Sequence, residues 1–289
     1  MNGNGPPLIA RLLYAPKRFK RNIVQAGSVF RRRGRAGKSG TLNRRRGWSV
    51  EICALVGVLA VALTAFYLDE ASIEFRKAVP ETVTRVFRSV TDVGKSDWIL
   101  IPTGLICLFA LCLDWRKFPP SLKAAMSSLL IYVGYVFATV AASGVFVILM
   151  KIIFGRARPK FFDQVGAFDF SPFTIDAGYA SFPSGHATTV FAMVGAAFFL
   201  FPRFRMLFLA IGVWSAVSRI FVVAHYPSDV AAGMMIGAAF SYAIARMLAV
   251  RRLGFRLDED GGIVPTHIGW PLVAVRKLVH IARHQSSNS

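Results

Sequence analysis

After its first 48 residues the chain falls into six apolar runs separated by polar links. The first, 49–68, is about twenty residues long, the length that crosses a hydrocarbon core. Glu51 is its single charge, and Trp48 and Tyr67 stand at its ends as interfacial aromatics do. A polar connection follows. Within it, over 80–93, Val83, Val86, Phe87, Val90 and Val93 recur at helical spacing opposite Thr84, Arg85, Arg88 and Ser89, which predicts a short helix lying in the interface. The second run, 98–113, is short and contains Pro102, so it borrows length from its flanks or thins the bilayer locally. The third, 124–150, has no charge, and Ala138, Ala141, Ala142, Ser143 and Gly144 offer it a small-residue face for close helix packing. It stops at Lys151, and a Phe- and Gly-rich loop then runs from 155 to 182. The fourth run starts at Pro183-Ser184-Gly185-His186 and ends at 201, the fifth covers 206–224, and the sixth 230–250. The pattern predicts an all-α polytopic membrane protein, a bundle of six transmembrane helices over 49–250, flanked by tails at 1–48 and 251–289.

Composition supports this picture. Hydrophobic residues make up 54% of the chain and charged residues 17%, too apolar for an ordinary soluble domain. The tail 1–48 carries thirteen Lys or Arg and no acidic residue, a composition that predicts disorder. The first apolar run begins too far along for a signal peptide. The other tail has an acidic turn, Asp258-Glu259-Asp260. Over 271–284, Leu272, Val275, Leu278, Val279 and Ala282 oppose Arg276, Lys277, His280 and Arg283, the pattern of a basic amphipathic surface helix. Cys53, Cys107 and Cys112 lie inside apolar runs without metal-type spacing and read as small buried hydrophobes.

The net charge of +20 raises the question of a nucleic-acid partner, which its location answers. With six spans, the side holding both tails carries 25 Lys and Arg against 5 acidic residues, counting Glu51, and the opposite side carries 10 of each. The whole excess lies on one face, which places both termini in the cytoplasm by the preference of Lys and Arg for cytoplasmic loops. Nucleic acid is thereby disfavoured as a partner, while anionic lipid headgroups suit the basic tails.

The candidate chemistry lies on the other face. Lys151 is followed after six residues by Arg158-Pro159; Ser184-Gly185-His186 opens the fourth span; Ser218-Arg219 is followed after five residues by His225 and after three more by Asp229. Phosphoryl transfer needs cations around the equatorial oxygens and a nucleophile in line with the leaving group. Lys151, Arg158 and Arg219 supply charge, and each guanidinium can grip two oxygens. Ser184 and Gly185 open a helix whose free amides favour an anion. A histidine titrates near neutrality and suits nucleophilic or acid-base work. No Cys/His cluster or other metal-ligand spacing accompanies these residues.

The three clusters, K-x6-R-P, P-S-G-H and S-R-x5-H-x3-D, resemble the signature motifs of the type-2 phosphatidic acid phosphatases, relatives of bacterial acid phosphatases and vanadium haloperoxidases. The resemblance spans 151–229 with no signature position substituted. It implies that Lys151, Arg158, Ser184, Gly185 and Arg219 bind the substrate phosphate. It also implies that His225 is the nucleophile and forms a phosphohistidine, that Asp229 accepts the proton on its other nitrogen, and that His186 protonates the leaving oxygen. The enzyme implied is a metal-independent, cofactor-free lipid phosphatase of the inner membrane acting at the non-cytoplasmic helix ends. Its substrate would be phosphatidic acid, phosphatidylglycerophosphate, undecaprenyl diphosphate or a lipid A phosphate. A lipid phosphotransferase using the same site is an alternative. An anion transporter is a poorer one, since the motifs gather at helix ends rather than along the spans. Two readings of Arg156 and Lys160 remain open, a subsite for a second phosphate or solvated loop charges. The loop aromatics, among them Phe161, Phe168, Phe170, Phe173 and Tyr179, form either a lid or acyl-chain wall, or merely a cap on the bundle.

Overall fold

The computed structural model of the 289-residue chain describes residues 15–37, 50–90 and 94–266. The described elements are α1 (Ala15–Gly37), α2 (Val50–Ala78), α3 (Glu81–Val90), α4 (Asp97–Cys112), α5 (Pro120–Phe154), the single-turn α6 (Phe162–Val165), α7 (Gly185–Leu200), α8 (Arg205–Phe221), α9 (Pro227–Val250), β1 (Phe255–Leu257) and β2 (Ile263–Pro265). Among the described residues four helices are long and apolar enough to cross a membrane: Glu51–Ala78, Pro120–Phe154, Pro202–Phe221 and Pro227–Val250. Asp97–Cys112 and Gly185–Leu200 are apolar but shorter. The six apolar runs of the sequence thus all become helices, of which four reach spanning length. The exposed faces of these helices are rich in Leu, Ile, Val and Phe, as lipid-facing surfaces are.

The chain divides into two compact units. One is formed by the described parts of 1–43, 101–135 and 246–289. Here the structure departs from expectation: residues 15–37, read as part of a disordered tail, form a helix with local partners. Asn22 is buried and donates from Nδ2 to the carbonyls of Leu111 and Leu113 at 2.8 and 2.9 Å. Arg21 pairs with Asp114 at 3.1 Å, and Arg33 donates to the carbonyl of Arg252 at 2.7 Å. Composition missed this because the helix satisfies free carbonyls at the end of α4 with polar side chains, instead of burying a wide apolar face. The acidic stretch 258–260 is the turn of an antiparallel hairpin pairing Phe255 with Pro265. Phe255 is fully buried edge-on to the rings of Tyr132 and Tyr135. The amphipathic helix expected over 271–284 lies outside the described residues.

The second unit, 44–100 and 136–245, holds all the motif residues. Along α5 its buried stripe is Thr139, Val140, Ser143 and Val147, which leads at helical spacing to Lys151. Of the small-residue face expected there only Ser143 is buried. Ala142 is exposed, and a Cβ on Gly144 would meet nothing within 4 Å. The close approach occurs elsewhere, between α7 and α9. A Cβ on Gly233 would lie 2.4 Å from the carbonyl oxygen of Ser184, and one on Gly237 2.3 Å from that of Thr188. Ala187, Val190, Phe191, Ala216 and Val230 form the core of this helix cluster. Between membrane helices such intimate contact, more than water exclusion, supplies the cohesion.

The helix expected in the interface forms as α3, but with a different buried side. Thr84 is fully buried, whereas Val83 and Val86 are exposed. Phe87 stacks on Phe221 of α8, ring centroids 4.0 Å apart. Of the cysteines, Cys53 is exposed on the apolar surface of α2 and the other two are half-buried, so none is a core residue; all three are free.

Candidate active site

Each motif sits at the end of a helix. Lys151 is in the last turn of α5, and Gly185 is the first residue of α7. Arg219 is in the last turn of α8, His225 follows in the turn between α8 and α9, and Asp229 is in the first turn of α9. Ser184 caps α7, its Oγ accepting from the amide of Ala187 at 3.3 Å, and its own amide donates to the carbonyl of Asp229 at 2.9 Å. That bond ties the second motif to the third. The turn before His225 is closed by its amide on the Arg219 carbonyl, 3.3 Å. Lys151 Nζ donates to the carbonyl of Ala180. Arg158 reaches the carbonyls of Ala177 at 2.9 Å and Ala224 at 3.5 Å, beside His225.

The charges converge. Lys151 lies within the electrostatic reach of Arg158, Arg219 and Asp229, and His225 within that of Lys151, Arg158 and Asp229. A Cβ on Gly185 would sit 3.7 Å from Val147 Cγ1 and 3.8 Å from Lys151 Cε, ordinary contact distances. Packing of the protein alone therefore does not demand glycine at the helix start beside Lys151.

His225 is 5% exposed. Burial pushes its imidazole down to about 4; Asp229 pulls the other way, and Lys151 and Arg158 add to the lowering. The ring is neutral through the physiological range, as a nucleophile requires. Below its ordinary value near 6.5 an unfolded histidine takes up a proton that this one refuses, so this group costs stability as pH falls from there toward 4. Its Nδ1 faces Asp229 Oδ2 at 3.7 Å, too long for a hydrogen bond, and is buried without one. Such contacts are often loose in a free enzyme and tighten with substrate.

The feature sequence reasoning did not foresee is what lies behind Asp229. Its carboxylate is fully buried; Oδ2 accepts from Ser181 Oγ at 2.6 Å and the Tyr226 amide at 2.9 Å, and Oδ1 from Arg156 Nη1 at 2.8 Å. Arg156 is itself buried and uses all five of its donors. Beyond Asp229 they go to Ser228 Oγ at 2.8 Å, Asp69 Oδ2 at 2.8 Å, and twice to the carbonyl of Ala167. Asp69, from α2, accepts in addition from the amide of Ser228 at 2.9 Å and its hydroxyl at 2.5 Å. The guanidinium lies over the ring of Tyr226, 4.3 Å from its centroid, with Phe168 and Phe170 each at 5.8 Å. Burial works against its charge, but Asp229 and Asp69 outweigh that and hold its pKa above the ordinary value. Arg156 is therefore neither of the things the sequence left open, a solvated loop charge or a subsite for a second phosphate. Lys160 is exposed, over the ring of Phe161.

Asp69 escaped because the first span, read to end at 68, continues as helix to Ala78. The available signal was the position of Arg156 inside K-x6-R-P, a charge with no phosphate role in the motif. Gly94 was also missed. A Cβ there would lie 2.1 Å from His186 Nε2 and 2.3 Å from its Cδ2, so the imidazole rests against bare backbone. Gly94→Ala is expected to displace that ring. With His186 as the proton donor that the motif resemblance implies, and with a misplacement of about 1 Å costing a reacting group roughly a hundredfold, kcat should fall by that order with the melting temperature nearly unchanged; steady-state kinetics beside a thermal melt checks it.

A helical membrane protein with three cations around a buried histidine–carboxylate pair is, by class, a membrane enzyme that handles phosphate. Comparison with known proteins makes the class definite: the PAP2 superfamily model matches residues 129–253, and the chain belongs to that superfamily. It is 38% identical over 223 residues to a lipid A 1-phosphatase of Rhizobium johnstonii, covering 77% of this chain and 87% of that one. It is 36% identical over 223 residues to a lipid A 1-phosphatase of Rhizobium etli, covering 77% and 91%. Among solved structures it resembles Aquifex aeolicus LpxE with a TM-score of 0.42 and 17% identity, covering 61% of this chain and 93% of that one. The protein is a lipid phosphatase of the PAP2 type, a phosphoric ester hydrolase of the membrane.

Proposed function

We propose that the protein removes the 1-phosphate from lipid A or a close precursor at the non-cytoplasmic face of the inner membrane, through a phosphohistidine at His225. The observation that carries the chemistry is a neutral, buried imidazole with a fixed carboxylate on one side and Lys151 and Arg158 within reach. Lys151, Arg158 and Arg219, with the amides at the start of α7, hold the phosphate. His225 attacks phosphorus, and the bond to the leaving sugar oxygen breaks as His186 gives that oxygen a proton. Asp229 takes the hydrogen bond of the Nδ1 proton and offsets the charge that the ring gains. Water then attacks the phosphorylated nitrogen's phosphorus, losing its proton to His186, and His225 is restored. The choice of lipid A rests on the two relatives named for that reaction. The choice of face rests on the basic excess in the tails and on six spans, the two shorter apolar helices included.

Purified protein is expected to release inorganic phosphate from lipid A at least about tenfold faster than from phosphatidic acid, phosphatidylglycerophosphate or undecaprenyl diphosphate, a ratio of the size that one well-placed recognition group gives. Equal rates on all four would remove lipid A as the substrate. For the face, single cysteines in a background lacking Cys53, Cys107 and Cys112 are informative. Ile175, which is 91% exposed in the loop after α6, marks the site side, and Arg32 on α1 marks the other. An impermeant maleimide should label Ile175→Cys and spare Arg32→Cys in spheroplasts; the reverse pattern would put catalysis in the cytoplasm.

A further inference from the structure

The best-satisfied charged group among the described residues is not one of the motif cations. Arg156 uses every donor inside the protein. Removing a guanidinium and two carboxylates from water is costly, and apolar residues of the same volume are often as stable or more so. Stability alone is thus a weak reason for this arrangement, and its location suggests another. It stands directly behind Asp229, the acid that faces His225.

We propose that Arg156 is a positioning residue: seated by Asp69 and Ser228, it keeps the Asp229 carboxylate ionised and turned so that Oδ2 faces Nδ1 of His225. This rests on the roles given above to His225 and Asp229. A fully buried carboxylate with no cation beside it takes up a proton, and a protonated Asp229 could no longer accept from Nδ1–H. Arg156 prevents that and pins Oδ1, while Ser181 and the Tyr226 amide pin Oδ2. Arg156 needs a second anchor to hold this pose, because one carboxylate fixes only one edge of the fork. Asp69 supplies it from α2, and Ser228 braces both. The Asp229 carboxylate faces His225 and offsets the positive charge the ring acquires when its other nitrogen bonds to phosphorus. Three segments distant in sequence, 69, 156 and 228–229, thereby act on one proton.

The test compares Arg156→Gln, Arg156→Lys and Asp69→Asn in the full-length detergent-solubilised protein, scored per folded molecule after a thermal melt. Arg156→Gln should lower kcat on lipid A by a hundredfold or more, while the affinity for inorganic phosphate, bound by Lys151, Arg158 and Arg219, changes less than about threefold. Arg156→Lys keeps the charge but cannot span Asp69, Ser228 and Asp229, and should lose at least tenfold. Asp69→Asn, the mildest change and the safeguard should the others fold poorly, should also lower kcat. Combined with Arg156→Lys it should cost less than the two losses multiplied, since both act through Asp229. A readout free of turnover is the nitrogen NMR signal of His225, which should report mainly the Nδ1–H tautomer in the wild type and a mixture in Asp69→Asn and Arg156→Gln. Should His225 prove not to be the nucleophile, the tautomer shift would still occur, which separates the two ideas. Wild-type kcat per folded molecule with an unchanged tautomer in these variants would overturn the proposal and leave the cluster a structural clamp.

Discussion

His225→Ala is expected to abolish phosphate release from lipid, a loss on the order of 10⁴-fold or more, as removal of a nucleophile that works as part of a unit produces. The variant should still bind inorganic phosphate within a few-fold of wild type. Lys151 and Arg158 are anchored on carbonyls of Ala180, Ala177 and Ala224 rather than on the imidazole, so the cationic cradle survives the truncation. The fold should survive too. The ring makes no hydrogen bond through Nδ1, and Asp229 keeps Arg156, Ser181 and the Tyr226 amide as partners. Phosphate release followed with radiolabelled lipid, beside calorimetric titration of phosphate, tests both halves. Full activity in His225→Ala would end the phosphohistidine mechanism.

Asp229→Asn is the second large effect. The change is nearly isosteric, yet an amide presents a donor where the site needs an acceptor, and it favours the wrong tautomer of the neighbouring ring. In the serine protease triad a comparable exchange costs about 10⁴ in kcat. A loss of roughly 10³ to 10⁴ is expected here by the same reasoning. The pH profile adds a sign. Asp229 raises the pKa of His225, which burial holds at about 4, so removing its charge should move the acid limb of kcat/KM expected there to still lower pH. An acid limb that moves upward, or an unchanged rate, would take Asp229 out of the site. Stability should fall as well, because Arg156 would be left facing one carboxylate instead of two.

The motif positions were legible because phosphate chemistry restricts them to a few residue types at helix-turn spacings, and in the fold they stand at helix ends as that spacing predicts. Helices were legible where apolar runs are long: the bounds of α4, α7, α8 and α9 fall within a few residues of the sequence reading. Where polar residues had to be assigned to an inside or an outside, the reading failed. Asn22 lies in the stretch read as a disordered tail, Asp69 in the polar connection after the first span and Thr84 on the polar side of the interfacial helix, while Arg156 stood open between a second-phosphate subsite and a solvated charge; all four are buried. A buried polar residue is offset by a partner far along the chain. Arg156 and Asp69 are 87 positions apart, and Asn22 and Leu111 are 89. Local pattern contains no trace of such pairing.

Residue chemistry and spacing along the chain therefore pointed to the family and the membrane class, and singled out the groups proposed to meet phosphate. Those depend on side-chain type and on periodicities of a few residues, which any short window displays. Tertiary structure alone decided which charges face the substrate site and which face one another. The sequence shows Arg156 and Arg158 two positions apart, and the motif gives a role to Arg158 but none to Arg156. In the fold, one points at Asp69 and Asp229 in the interior and the other lies along the carbonyls beside His225. A charge leaves water only where opposite charge and hydrogen-bond partners already wait, and where they wait is fixed by how α2, the loop after α5, and α9 come together.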